Sequence, residues 1–204
     1  MGLPNNVTDI NGVHQNTDDS ANDVITLKIE DQIVRFVPLG FYKHFPYLTV
    51  LKIWSSELSS IRQEDIRDLK YLTDLSLSDN NLESLDSNLF KYNLYLIKVD
   101  FTRNQIKHIG QNLLNPLKKL LFADFYQNYC ISEGARYSFD GLNQKFRKHC
   151  QPTSEMMITE LDSLSNEVEM LQKEIEATHR KVKICEAKKD DSMSLRSLFP
   201  TISA

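Results

Sequence analysis

The chain has 204 residues, is 41% hydrophobic and 25% charged, and carries a net charge of −4. That length admits one domain with appendages, and the apolar share is enough for a real core. The small negative charge argues against a dedicated nucleic-acid binder, and no apolar run reaches membrane-spanning length.

Residues 1–23 are rich in Asn, Asp, Ser and Thr, with few apolar anchors, and are expected to be disordered. No basic stretch followed by an apolar run marks a signal peptide there. Asn6-Val7-Thr8 is a glycosylation triplet of a kind that often arises by chance.

Residues 24–130 read as a repeat. Between Leu72 and Phe90, leucines fall at Leu72, Leu75, Leu77, Leu82, Leu85 and Leu89 around Asn80. The spacing fits neither the helical period nor the alternation of a long strand. It reads L-x-x-L-x-L-x-x-N-x-L, a short strand followed by a tight turn. The pattern recurs at a fixed step of 24 residues, without insertion or deletion, at Leu48, Leu96 and Leu120, and a degenerate copy starts at Val24. One such unit cannot bury its own leucines, whereas stacked units share a continuous core. Asn80, Asn104 and Asn128 would sit where the chain bends off each strand, their amides bonding backbone groups of adjacent turns. Ser56 and Gln32 hold that position earlier, and Ser56 is too short to bridge as well, so the first turns are expected to be looser.

The period and motif resemble the extracellular-type leucine-rich repeat over Val24 to Cys130. The expected fold class is α/β: a short solenoid with a parallel concave sheet, a C-terminal cap helix and a separate coiled-coil helix. The residues between the leucines would face outward from the sheet. One column runs Lys28, Lys52, Ser76, Asp100, Asp124, from basic to acidic, and the next runs Glu30, Trp54, Ser78, Thr102, Tyr126. Lys98, Arg103 and Phe122 lie beside them. Exposed aromatics among mixed charges suit a protein ligand. The alternative for Trp54 is packing against neighbouring long side chains or cover by the N-terminal segment.

Residues 131–152 are expected to close the solenoid. The stretch SFDGLNQKFRKHC reads as a short helix capped by Asp140, with Leu142, Phe146 and Cys150 on one face. A bridge between Cys130 and Cys150 would tie that helix over the exposed end, stabilising by about 3 kcal/mol in the chain-entropy model. The alternative is a pair of buried free thiols in an intracellular protein. The arrangement resembles the cysteine-bearing C-terminal caps of extracellular leucine-rich repeats, with fewer cysteines and no tryptophan.

Over residues 153–188 the apolar period changes to alternating steps of four and three. Leu161, Val168, Ile175 and Val182 occupy heptad position a; Met157, Leu164, Leu171, Thr178 and Cys185 occupy d. Mostly β-branched a positions with leucine at d favour a parallel two-stranded coil. Lys181 would then meet Glu186 of the partner chain, and Glu174 would meet His179, so neither pair is repulsive. Cys185, the odd cysteine, would face its own copy and could form an interchain bond. The alternative is an amphipathic helix packed back on the solenoid. Residues 189–204 are polar and expected to be a loose tail.

No phosphate loop, H-E-x-x-H, C-x-x-C pair or nucleophile elbow is present. The five histidines are scattered, and Asp74, Asp79, Asp100 and Asp124 are explained by repeat register rather than as a catalytic cluster. The expectation is a non-enzymatic binding protein without metal or cofactor, with no nucleic-acid or membrane partner, that takes a protein ligand and forms a homo- or heterodimer. The order of solenoid, cysteine-closed cap and coil resembles the leucine-rich immune proteins of mosquitoes and related insects. That resemblance implies a secreted protein with an innate-immune role. The alternative is an intracellular leucine-rich repeat scaffold whose coil binds another helical protein.

Overall fold

The structure is a computed structural model that describes residues 24–38 and 40–197, the side chains of Phe41 and of 184–197 excepted. The expected disorder of residues 1–23 therefore lies outside the described residues. The chain divides into two compact units, with the boundary after Met157.

The first unit is a solenoid. Its elements are β1 (Thr26–Glu30), α1 (Phe41–His44), β2 (Val50–Trp54), α2 (Gln63–Ile66), β3 (Asp74–Ser76), β4 (Ser84–Leu85), β5 (Lys98–Asp100), β6 (His108–Ile109), β7 (Phe122–Asp124), β8 (Gly134–Arg136) and α3 (Asp140–His149). Six strands form one sheet in the order β1-β2-β3-β5-β7-β8. The first five pair in parallel, with hydrogen-bonded neighbours 24 residues apart: Leu51 with Leu75, Leu75 with Val99, Val99 with Ala123. A second parallel ladder joins β4 to β6. From β2 onward the apolar strand residues point inward and are buried, as Leu51, Ile53, Leu75, Leu77, Val99 and Phe101 are, whereas Leu27 and Ile29 of β1 are half-buried. Each such side chain contributes about 1.5–3 kcal/mol on burial.

The bend off each strand has a fixed backbone form. Asp31, Ser55, Asp79, Arg103 and Gln127 all have φ between 49° and 57°, in the left-handed region. No glycine occupies any of these positions, and a non-glycine residue there is uncommon. The strain persists because the next residue locks the bend. Asn80 accepts hydrogen bonds at Oδ1 from the backbone N–H groups of Ser56 and Leu58, at 3.1 and 3.0 Å, and Nδ2 donates to the Ile53, Leu77 and Ser78 carbonyls. Asn104 does likewise with Leu82 N–H and the Leu77, Phe101 and Thr102 carbonyls. Asn128 takes the Ile106 N–H and donates to the Phe101 and Phe125 carbonyls.

The ladder weakens toward the N-terminus. Ser56 is fully buried, but its hydroxyl reaches only the Trp54 carbonyl and, at 3.4 Å, the Gln32 N–H. Asn104→Ala is therefore expected to cost about 1–3 kcal/mol, through buried backbone groups left unpaired, and Ser56→Ala clearly less. Urea titrations of the two variants check this; equal midpoints would count against the ladder.

Phenylalanines bridge successive turns. Phe90 and Phe101 stand 6.3 Å apart, Phe101 and Phe125 stack at 5.3 Å, and Phe125 meets Phe146 of α3 edge-on at 4.9 Å. Helix α3 thus covers the open end with Leu142 and Phe146, both buried. Cys150 at its end is bonded to Cys130, with Cα atoms 5.1 Å apart. The Cys150 carbonyl accepts from Ile109 N–H at 2.8 Å, tying the cap to β6. Lys145 of α3 also pairs with Glu133. The helix does not use Asp140 as its cap: Phe139 stands at that position, without a side-chain cap bond, and Asp140 is the first helical residue. Its carboxylate in the first turn still complements the helix dipole.

The described part of the second unit belongs to α4 (Ser154–Ser197), a helix of 44 residues. Thr153 Oγ1 accepts from Met156 N–H at 3.2 Å and starts it. The helix passes Lys189, so residues 190–197, expected to be loose, are helical.

Candidate protein-binding face

The outward side chains of the sheet fall in rows, because parallel pairing aligns equivalent residues of successive turns. Lys28 pairs with Lys52, Lys52 with Ser76, Ser76 with Asp100 and Asp100 with Asp124. A second row runs Val50, Asp74, Lys98, Phe122 and ends on Arg136. Glu30 lies beside Trp54 in a third. The middle of the face is low, since Ser76 and Ser78 are short and buried between larger neighbours. Lys28 and Tyr126 are exposed, and Lys52, Lys98, Asp100 and Asp124 are half-buried.

Several of these groups are already engaged. The Asp100 carboxylate accepts from Ser76 Oγ at 3.3 Å and from Thr102 N–H at 3.0 Å. Arg103 forms a two-pronged pair with Asp79, one bond at 2.6 Å, which holds the guanidinium charged and pushes its pKa up. The Arg103 charge is thus shared across turns rather than free. Trp54 is half-buried, not fully outward-facing as its register suggested. Lys52 Nζ lies 5.6 Å from its ring centre, and its indole N–H is buried without a hydrogen-bond partner among the described residues.

The C-terminal end of the face is shaped by a strand that the repeat does not announce. β8 pairs antiparallel with β7 and sets Gly134 opposite Asp124. A Cβ at Gly134 would stand 2.5 Å from Asp124 Oδ1 and 2.9 Å from Tyr126, so a side chain there would have to displace both. The Arg136 guanidinium then lies 5.3 Å from the Phe122 ring centre, and Tyr137 meets the same ring at 6.0 Å. Phe122 is half-buried between them, and Arg136 and Tyr137 join the candidate face. Asp74 joins it by register. No sequence signal marked Arg136 or Tyr137, because they follow the last repeat.

Residues 46–93 match the family profile described as Leucine rich repeat, and the turns outside that span keep the same register. That span is about a quarter of the chain, and the solenoid built around it has a leucine-rich-repeat fold. No curated protein matches the chain. Solved structures similar to it include a chain of the Toll–Spatzle complex, a molecular hub in Drosophila development and innate immunity, with 20% identity and a TM-score of 0.49. Another is the leucine-rich repeat domain of APL1, with 27% identity and a TM-score of 0.47. Each match covers 53% of this chain, but only 15% and 28% of those chains' length.

Within the solenoid, carboxyl pKa values are raised at Asp65 and Asp86, chiefly by burial. Asp65 accepts from Arg62 N–H at 2.7 Å and serves as a cap for α2. Among the described residues no group of three or more His, Cys, Asp or Glu is placed to hold a metal ion. No described helix is long and apolar enough to cross a membrane. Along α4, Leu161, Leu164, Val168, Leu171, Ile175 and Val182 are 47–66% exposed. Cys185 lies in that helix, and its side chain is outside the described residues.

Sequence reasoning also missed Asn93. It stands 24 residues after Leu69 and 24 before Leu117, in an otherwise apolar column. Its amide is fully buried and donates to the Ile66 and Leu69 carbonyls at 2.8 and 3.0 Å. A polar residue inside an apolar column was the available signal.

Proposed function

We propose that this chain is an exported, non-enzymatic recognition protein that binds a protein ligand on the sheet face and pairs through α4. The carrying observation is the graded row from Lys28 and Lys52 to Asp100 and Asp124, flanked by Trp54 and Tyr126. A row with one basic and one acidic end favours a ligand of complementary polarity and disfavours the reverse docking. Export is supported by the Cys130–Cys150 bond, since such bonds persist in oxidising compartments. Pairing is supported by the exposed heptad positions of α4. An innate-immune setting is proposed only because that order of solenoid, closed cap and heptad helix resembles the leucine-rich immune proteins of insects.

The test uses protein recovered from the native extracellular fluid together with its bound ligand. Asp100→Lys with Asp124→Lys is expected to weaken that ligand about tenfold or more, with an unchanged fold. Trp54→Ala is expected to weaken it similarly while costing about 1 kcal/mol of stability, because the ring is only half-buried. Full affinity in both variants would remove the sheet face as the site. A loss of several kcal/mol in Trp54→Ala would place that ring in the core.

A further inference from the structure

The return segment of each repeat ends in the same tight turn. Leu48, Leu72, Leu96 and Leu120 each donate their backbone N–H to the carbonyl three residues earlier, at Phe45, Leu69, Asn93 and Leu117, and all four bonds measure 3.2 Å. The first and last residues of each turn are buried. The two between them form the tip and are not needed by the core. The tips read Pro46-Tyr47, Lys70-Tyr71, Leu94-Tyr95 and Lys118-Lys119.

Three tyrosines therefore stand in one row at the 24-residue step, ended by a lysine. Tyr47, Tyr71 and Tyr95 are 53%, 53% and 52% exposed, and Leu94 is 50% exposed. Tyr47 and Tyr71 have ring centres 5.8 Å apart, and Lys119 Nζ lies 4.0 Å from the Tyr95 ring centre. Tyr92, 45% exposed, lies under the Arg67 guanidinium at 5.7 Å. Scattered exposed aromatics need no explanation, but a continuous row on turn tips, where any polar residue would serve the fold, does.

The charge of this flank differs from the rest of the chain. Residues 42–47, 66–71, 90–95 and 114–119 hold Lys43, Arg67, Lys70, Lys91, Lys118 and Lys119 against the single acid Asp68, in a chain whose net charge is −4. We propose that this flank is a second protein-binding surface, which takes an acidic polypeptide segment carrying apolar or aromatic side chains. Successive tips follow the spacing of hydrogen-bonded strands, about 4.8 Å. An extended segment crossing them would lay apolar side chains on the tyrosine faces and carboxylates beside Lys70, Lys118 and Lys119. Tyrosine has few rotatable bonds, so ordering these rings on binding loses little entropy. Nucleic acid fits less well, because the basic strip is short and the remainder of the chain repels phosphate.

The probe is a copolymer of glutamate and tyrosine, with polyglutamate and heparin for comparison, titrated into the full chain by fluorescence anisotropy. The copolymer is expected to bind in a salt-sensitive manner and more tightly than polyglutamate. Tyr71→Ala with Tyr95→Ala is expected to weaken it at least about tenfold, and Lys70→Glu with Lys119→Glu similarly. Circular dichroism should be unchanged in both, since the tips lie outside the core. Asp100→Lys with Asp124→Lys on the sheet face should leave copolymer binding intact, which separates this surface from the one proposed above. The proposal is overturned by no binding to the wild-type chain, by equal binding to the tyrosine variant, or by heparin or polyglutamate binding as tightly as the copolymer.

Discussion

A chain ending at Thr153 is expected to sediment as a monomer, where the full chain sediments as a dimer that reduction weakens. Helix α4 carries the exposed seam. Its a positions Leu161, Val168, Ile175 and Val182 are 66%, 53%, 57% and 47% exposed, and the d positions Leu164 and Leu171 are both 53% exposed. Burying this seam against a second helix removes apolar surface from water along several heptads. Thr178, the weak member of the seam, donates its hydroxyl to the Glu174 carbonyl at 2.9 Å, so it can be buried without an unpaired donor. Glu169 and Lys173 add a helix-supporting pair at 2.8 Å. Because threonine contributes little apolar area, a bond between the two Cys185 thiols would raise the effective concentration of the strands and lock the pair. Cys185→Ser should thus give a concentration-dependent mixture of monomer and dimer. A truncated chain that stayed dimeric would move the pairing surface into the solenoid.

Phe101→Ala is expected to cost about 3–5 kcal/mol. Phe101 is fully buried and touches Phe90 on one side and Phe125 on the other, and Phe125 in turn carries Phe146 of the cap. Its removal opens a cavity midway along the core, and the strands on either side are held by backbone bonds, so collapse is limited. In a stacked fold each turn is stabilised mainly by its neighbours, and the defect would also loosen the cap from the earlier turns. Phe101→Leu, which fills most of the space, should cost about 1.5 kcal/mol or less. Guanidinium titration of both variants checks the pair. A loss near 1 kcal/mol in Phe101→Ala would show that the phenylalanine row does not transmit stability between turns.

The amino-acid sequence by itself determined the solenoid, because its pattern repeats at the spacing that also sets the hydrogen-bonded neighbours. Once Leu51 and Leu75 occupy equivalent positions, parallel register follows, and Lys28, Lys52, Asp100 and Asp124 share one row. The cysteine pair was legible for a related reason: Cys130 ends the last repeat and Cys150 ends the helix needed to cover it. Features that depend on contacts outside the period were not legible. The left-handed bends at Asp79, Arg103 and Gln127 carry no glycine to mark them; they are held by the asparagine that follows, by backbone bonds of Asp79 and Arg103 to the next turn, and by the bond of Gln127 N–H to the Ser132 hydroxyl. The antiparallel β8 lies beyond the last repeat, and its course over Phe122 is decided by the room that Gly134 leaves beside Asp124. The half-buried state of Trp54, with Lys52 Nζ 5.6 Å from its ring centre, likewise lies outside what spacing reports. Periodic spacing reports which way a side chain points, since that is a property of the local backbone. How much of it remains in water is decided by the side chains around it, and only the tertiary structure brings those together.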